Sequence, residues 1–166
     1  MKFNFKIVKI PQLSGRCTTF YTAYLTNEKT TLFEQFIEQN KVTHLEQLKQ
    51  IRTEIGIMSS RTGARLEFFD KYEGVKIGEG VYALHSKKLR LYCFRLDNCL
   101  VLLGGGGWKD VAKWQDDPKL AEEVNKVRFI AQQIDERIRS RDIKRTPDDM
   151  ELMGDLIFDF DDEDID

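Results

Sequence analysis

The residues best equipped for chemistry lie between positions 85 and 109: His85, Lys87, Lys88, Arg90, Tyr92, Arg95, Trp108 and Lys109. Arg90 and Arg95 sit in an otherwise apolar run, Lys88-Leu89-Arg90-Leu91-Tyr92-Cys93-Phe94-Arg95-Leu96, where a charge needs a reason. A planar guanidinium grips phosphate oxygens two at a time, so an anionic ligand, phosphate or RNA above others, suits this set. Lys109 ends the neighbouring run as a further cation. His85 is the side chain nearby that titrates near neutrality unperturbed. Lys87 and Lys88 act as acid or base only where crowding by like charge lowers their pKa. Tyr92 shares strand parity with Arg90, so both are expected to leave the sheet on one face. There Tyr92 would stack a base or donate its hydroxyl, and Trp108 would offer a second stacking surface. Arg90 also has a bland reading, pairing with a carboxylate to hold the fold.

These residues need elements to carry them. The run 88–96, the pair Asp97-Asn98 and the run Cys99-Leu100-Val101-Leu102-Leu103 predict an antiparallel hairpin. A two-residue turn at 97–98 would set Cys93 against Leu102 and Cys99 against Leu96. Gly104-Gly105-Gly106-Gly107 then reads as a flexible exit from the second strand. The glycines lack the Gly-Lys-Ser/Thr ending of a Walker phosphate loop. Upstream, 3–10 alternates as an opening strand ended by Pro11, and 18–25 predicts a second. Thr30 or Thr31 is placed to cap a helix through about Gln39. Leu45, Leu48, Ile51 and Ile55 mark a second helix, with Thr43 and Glu46 as its capping box. After a break at Ser59–Gly63 and a short segment at 66–69, Gly74, Gly78 and Gly80 bracket a loop, and 81–85 predicts a strand. From Pro118, apolar residues at Leu120, Val124, Val127, Ile130, Ile134 and Ile138 predict a long helix.

The net charge of −2 conceals a split. Residues 142–166 hold eleven acidic and two basic residues, a net −9, against +7 for residues 1–141. A basic body with an acidic tail points to nucleic-acid contact or its mimicry, the alternative being a solvated tail. The division expected is a domain at 1–141 and an acidic extension at 142–166, with Leu156-Ile157-Phe158 and Phe160 its one apolar cluster. No stretch of about 18 apolar residues occurs, so a membrane span is not expected. The N-terminus lacks the apolar run of an export signal. Cys17, Cys93 and Cys99 are an odd set, read as free thiols in a reducing cytoplasm. With only His44 and His85, no spacing suggests a metal site, and no cofactor is expected.

An opening strand, two helices, three antiparallel strands and a C-terminal helix is an order similar to that of the RelE/HigB-like toxins of bacterial toxin–antitoxin pairs. The resemblance rests on Val81-Tyr82-Ala83-Leu84, Leu89-Arg90-Leu91-Tyr92-Cys93 and Gly105-Gly106-Gly107-Trp108-Lys109, with Glu67-Phe68-Phe69 before the sheet, and covers roughly residues 17–140. It implies an α+β, RelE-like fold: a small antiparallel sheet with two N-terminal helices and a C-terminal helix packed on it. It also implies a toxin that cleaves messenger RNA, commonly at the ribosome, and is held inactive by a cognate antitoxin protein. The family uses basic and aromatic side chains in place of a recognisable acid–base triad. This chain departs from it after Lys109, where no histidine or tyrosine follows.

RNA cleavage by 2′-hydroxyl attack needs a group to take the 2′-proton, charge stabilisation at phosphorus and a proton for the leaving 5′-oxygen. Arg90 and Lys109 are the expected charge stabilisers, with His85 and Lys88 as candidate catalytic acids or bases. Tyr92, Arg95, Trp108 and Lys87 are the expected substrate-binding residues. Two other readings stay open: a non-catalytic module binding RNA or protein, and a gyrase-directed toxin. The tail adds a further expectation, that the carboxylates of 159–166 lie across the Arg90/Lys109 cleft in cis, anchored by Phe158 and Phe160.

Overall fold

The computed structural model of the chain describes residues 1–70 and 80–160. Its main sheet is mixed and mostly antiparallel. Strands β1 (Phe5–Lys9) and β2 (Thr19–Leu25) come first, then the two-residue β3 (Thr30–Thr31). Helices α1 (Leu32–Asn40) and α2 (Leu45–Ile57) follow, then β4 (Val81–Ser86), β5 (Leu89–Arg95) and β6 (Leu100–Trp108). Helix α3 (Pro118–Ser140) leads to β7 (Ile143–Arg145), β8 (Leu152–Gly154) and β9 (Ile157–Phe158). The sheet runs β4-β5-β6-β2-β1-β9, with β2 parallel to β6, and β7–β8 form a separate ladder. No described helix is long and apolar enough to cross a membrane.

Two apolar cores flank the sheet. On one face α3 buries Leu120, Val124, Val127, Ile130 and Ile134 against Tyr21, Ala83, Tyr92 and Leu102. On the other, α1 and α2 bury Phe36, Leu48, Ile51 and Ile55 against Phe20, Leu84, Leu91 and Leu103. Local signals explain the helix starts. The Thr31 hydroxyl accepts the Glu34 amide to cap α1, and the Asp117 carboxylate accepts the amides of Lys119 and Leu120 ahead of Pro118. At α2 the expected capping box is absent: His44 is the N-cap and makes no side-chain cap bond. Its ring is engaged instead with Trp108. A π-helical turn at Met58–Thr62, ended by Gly63 at φ +78°, forms the break after α2.

The hairpin register differs from the expected one. The Asp97 carboxylate accepts the amides of Cys99 and Leu100, and Leu96 N donates to Leu100 O, which makes a three-residue loop. Cys93 therefore pairs with Leu103 rather than Leu102. Nor do the glycines form a flexible exit: they lie inside β6 and are buried. Gly104 and Gly105 together oppose Tyr92, a bulge in β6. A Cβ at Gly104 would fall on Val127 Cγ2, and one at Gly105 on Glu123 Oε2. The glycines thus form a bare strip on which α3 lies.

The acidic extension is part of this packing as far as Phe160. The Phe158 ring stacks on Phe5 at 4.4 Å with Arg137 3.6 Å above it, and β9 pairs with β1. Arg137 also donates to the carbonyls of Asp155 and Ile157. Leu152 N donates to the Tyr21 hydroxyl, and Phe160 N to Asn4 Oδ1. The loop expected around Gly74 and Gly78 lies outside the described residues.

Candidate functional site

One end of the sheet gathers most of the residues singled out above. β4 and β5 join through Lys87 and Lys88, with Lys87 at φ +51° in the left-handed region. His85 pairs directly with Arg90, and Arg90 with Gly107 on its other side. Facing pairs project to one side of a sheet, so His85 and Arg90 are neighbours there, and Gly107 leaves the far side open. Lys109 N donates to Lys88 O at 2.8 Å, which brings the Lys109 backbone to the same turn. Leu120, in the first turn of α3, reaches Gly107, so the α3 N-terminus and its partial positive charge face this end too.

The side chains are held as follows. Arg90 is half-buried and donates from Nη1 to Lys87 O at 2.6 Å. His85 Nδ1 lies 3.3 Å from Asp70 Oδ2, with the His85 side chain 45% exposed. Asp70 reaches this position because it bridges Ala83 on the outer edge of β4, exchanging both backbone hydrogen bonds. Lys88 pairs with Asp110 at 2.9 Å. Beside them opens a pocket of about 400 Å³, lined by Gln50, Thr53 and Glu54 of α2 and by His85, Ser86 and Lys87. Ser86 hydrogen-bonds Gln50 across it. Burial raises the Glu54 carboxyl above its ordinary value, and the neighbouring His85 pulls it the other way.

Trp108 lies on the opposite sheet face. Its ring stacks on His44 at 4.1 Å and 9°, so one side of the expected stacking surface is already covered.

Two expected binding residues lie elsewhere. Tyr92 is fully buried beneath α3, a position closed to a base. Tyr92 does share the face of Arg90, but α3 covers that face at Tyr92. Arg95 stands at the far end of β5, about 17 Å from Arg90 at the usual rise per residue. It donates from Nε to Ala64 O and from Nη2 to Asn98 Oδ1, both at 2.6 Å, which ties the 97–99 loop to the turn after α2.

The tail's anchors are also placed differently. Phe158 and Phe160 pack at the β1 edge, and β9 lies four strands from β5, roughly 19 Å away at about 4.8 Å per strand. The carboxylates at 161–164 and 166 lie outside the described residues.

Sequence reasoning missed Glu54, Asp70 and Gln50. Glu54 and Gln50 read as solvated positions on an amphipathic helix, and Asp70 follows a segment of ambiguous type. Nothing local marks their approach to His85, which depends on α2 lying along the sheet edge at β4. The cysteines are free, and burial drives the Cys93 thiol far above its ordinary range, which keeps it inert.

Comparison with protein-family models, with curated proteins and with solved structures gives no match for this chain.

Proposed function

We propose that this protein is a metal-independent endoribonuclease, the toxin component of a toxin–antitoxin pair with a RelE-like domain, acting on messenger RNA. The observation that carries the reading is the cross-strand pair His85–Arg90 at the Lys87-Lys88 turn, to which the Lys109 amide is hydrogen-bonded. It sets an imidazole, able to give or take a proton, beside a guanidinium, among ammonium groups that attract a polyanion. The order β2-α1-α2-β4-β5-β6-α3, with β4, β5 and β6 antiparallel, supports the family resemblance.

In this mechanism a phosphodiester docks over the β4–β5 turn. Arg90 and Lys109 stabilise the charge that builds on the non-bridging oxygens. Asp70 orients His85 through Nδ1, leaving Nε2 to protonate the leaving 5′-oxygen. Glu54, which lines the pocket at the β4 edge together with His85 and whose burial raises its pKa, takes the 2′-hydroxyl proton. Tyr92 has no part, because it is buried.

A second reading, a non-catalytic RNA- or protein-binding module on the same basic end, is favoured by one observation. Tyr92, the expected hydroxyl donor, is closed off beneath α3, while the cations of the β4–β5 end remain. Induced expression in a bacterial host of wild type and Arg90→Ala separates the two. The nuclease reading predicts growth arrest with cleaved transcripts, both lost in Arg90→Ala. Healthy growth with intact transcripts in wild type refutes it.

A further inference from the structure

The molecule has a second concave surface that the proposed chemistry does not use. It is a groove of about 420 Å³ between α1 and α2, floored by Phe33 and Ile37 of α1 and Leu45, Leu48, Ile51 and Ile55 of α2. The turn after β1 closes one end through Ile10 and Leu13. Leu45 is 46% exposed, and Val42, in the α1–α2 turn, is 85% exposed, so apolar surface continues beyond the groove. The charged residues lining it are all cations: Lys41, Lys49 and Arg52. Lys41 pairs with Glu38 and Lys49 with Glu46, but these carboxylates stand outside the lining. Such exposed pairs are weak and easily exchanged for a better partner. Arg52 has no ion-pair partner among the described residues.

We infer that this groove is the docking site for an acidic amphipathic helix of a partner protein. An apolar trough open to solvent along two helices matches the apolar stripe of a third. From Leu45 to Ile55 α2 rises about 15 Å, which accommodates guest anchors at i, i+3 or i+4, and i+7. The all-cation rim selects the sign of the guest's flanks, since like charges placed against Lys49 and Arg52 would repel. The described part of the acidic extension does not reach it: it ends at Phe160, packed against Phe129 on the α3 face of the sheet. The inference is independent of the proposed nuclease activity. Leu45, Lys49, Arg52 and Ile55 line the groove, while Gln50, Thr53 and Glu54 of the same helix line the pocket at His85.

The test uses the full chain and two labelled helical peptides of about 16 residues. Both carry leucine at the anchor positions, with glutamate on the flanks of one and lysine on the flanks of the other. Fluorescence anisotropy is expected to show the glutamate peptide binding at least about tenfold tighter than the lysine peptide, and unchanged binding by Arg90→Ala. The double variant Lys49→Glu/Arg52→Glu, on exposed positions that leave the fold intact by circular dichroism, is expected to reverse that preference. Absence of binding by both peptides, or equal binding that the double variant does not alter, overturns the inference. So does a dimer in sedimentation that Leu45→Asp dissociates, because it makes a second copy of this chain the occupant.

Discussion

Replacing the β6 glycines one at a time tests whether they exist to seat α3. A Cβ at Gly104 would fall on Val127 Cγ2 and stand 2.8 Å from Tyr92 O. A Cβ at Gly107 would meet nothing nearer than Leu120 Cδ2 at 3.5 Å, ordinary van der Waals contact. Overpacking a well-filled core costs about 1–3 kcal/mol, against which a glycine-to-alanine change recovers about 0.4–1 kcal/mol from the unfolded chain. Gly104→Ala, pressed on both a side chain and a backbone oxygen, is therefore expected to lose about 2 kcal/mol. Gly107→Ala is expected to be neutral or to gain about 0.5 kcal/mol by the same reckoning. For a chain of this length, 2 kcal/mol is roughly 4–8 °C in Tm. Urea and thermal unfolding followed by far-ultraviolet circular dichroism read both. Val127→Ala in the Gly104→Ala background should restore part of the loss, leaving a coupling of about 1 kcal/mol, because only the side-chain clash is relieved. Equal damage from Gly104→Ala and Gly107→Ala, or an additive double variant, would refute the packing explanation.

The C-terminal strand gives a second prediction: Phe158→Ala removes a fully buried ring stacked on Phe5 and should cost about 3–5 kcal/mol by chemical denaturation. Arg137→Leu loses the bonds to the carbonyls of Asp155 and Ile157 together with the ring contact. It should cost about 1–3 kcal/mol and speed hydrogen exchange at the β1–β9 amides. Glu54 gives a pH-dependent one. Its folded pKa is raised, so the folded chain holds that proton more tightly than the unfolded chain does. Its contribution favours folding below the unfolded pKa and is lost as pH rises through the folded pKa. Glu54→Gln should remove this dependence, so the variant's Tm relative to wild type should rise with pH across the carboxylate range and then level off.

How much of this was legible in the chain depended on the range of the interaction. The apolar spacing from Leu120 to Ile134 announced α3 with its buried stripe, and Asp117-Pro118 marks its start. The strands β1, β2, β4 and β5 followed from alternation and β-branched content. Three features were not legible, each because its partner is distant in sequence. The glycine run looked flexible until α3 was laid across it. The cluster at 156–160 left groove docking, strand addition to an exposed edge and disorder all open, and the edge it joins was not legible, since the strand it completes begins at Phe5. Tyr92 looked available because strand parity gives the face of a residue and not what covers that face. The 97–99 loop differs for a local reason: the Asp97 side chain captures two amides and lengthens the turn by one residue. At the site, His85, Lys87, Lys88, Arg90 and Lys109 were visible as candidates from their types and spacing, with Arg90 and Lys109 at one edge of the sheet. Asp70 and Glu54 were not, because neither is a neighbour of His85 along the chain.

If the basic end of the sheet cleaves RNA with its own side chains, cleavage needs no metal ion and fails without those side chains. The direct measurement incubates purified wild type, His85→Ala and Arg90→Ala with a labelled single-stranded RNA in excess EDTA and identifies the product ends. Attack by the 2′-hydroxyl leaves fragments ending in 2′,3′-cyclic phosphate, so wild type is expected to produce these, slowed by about 10²-fold or more in each variant. Intact RNA with wild type, or cleavage at the same rate in all three proteins, would contradict it.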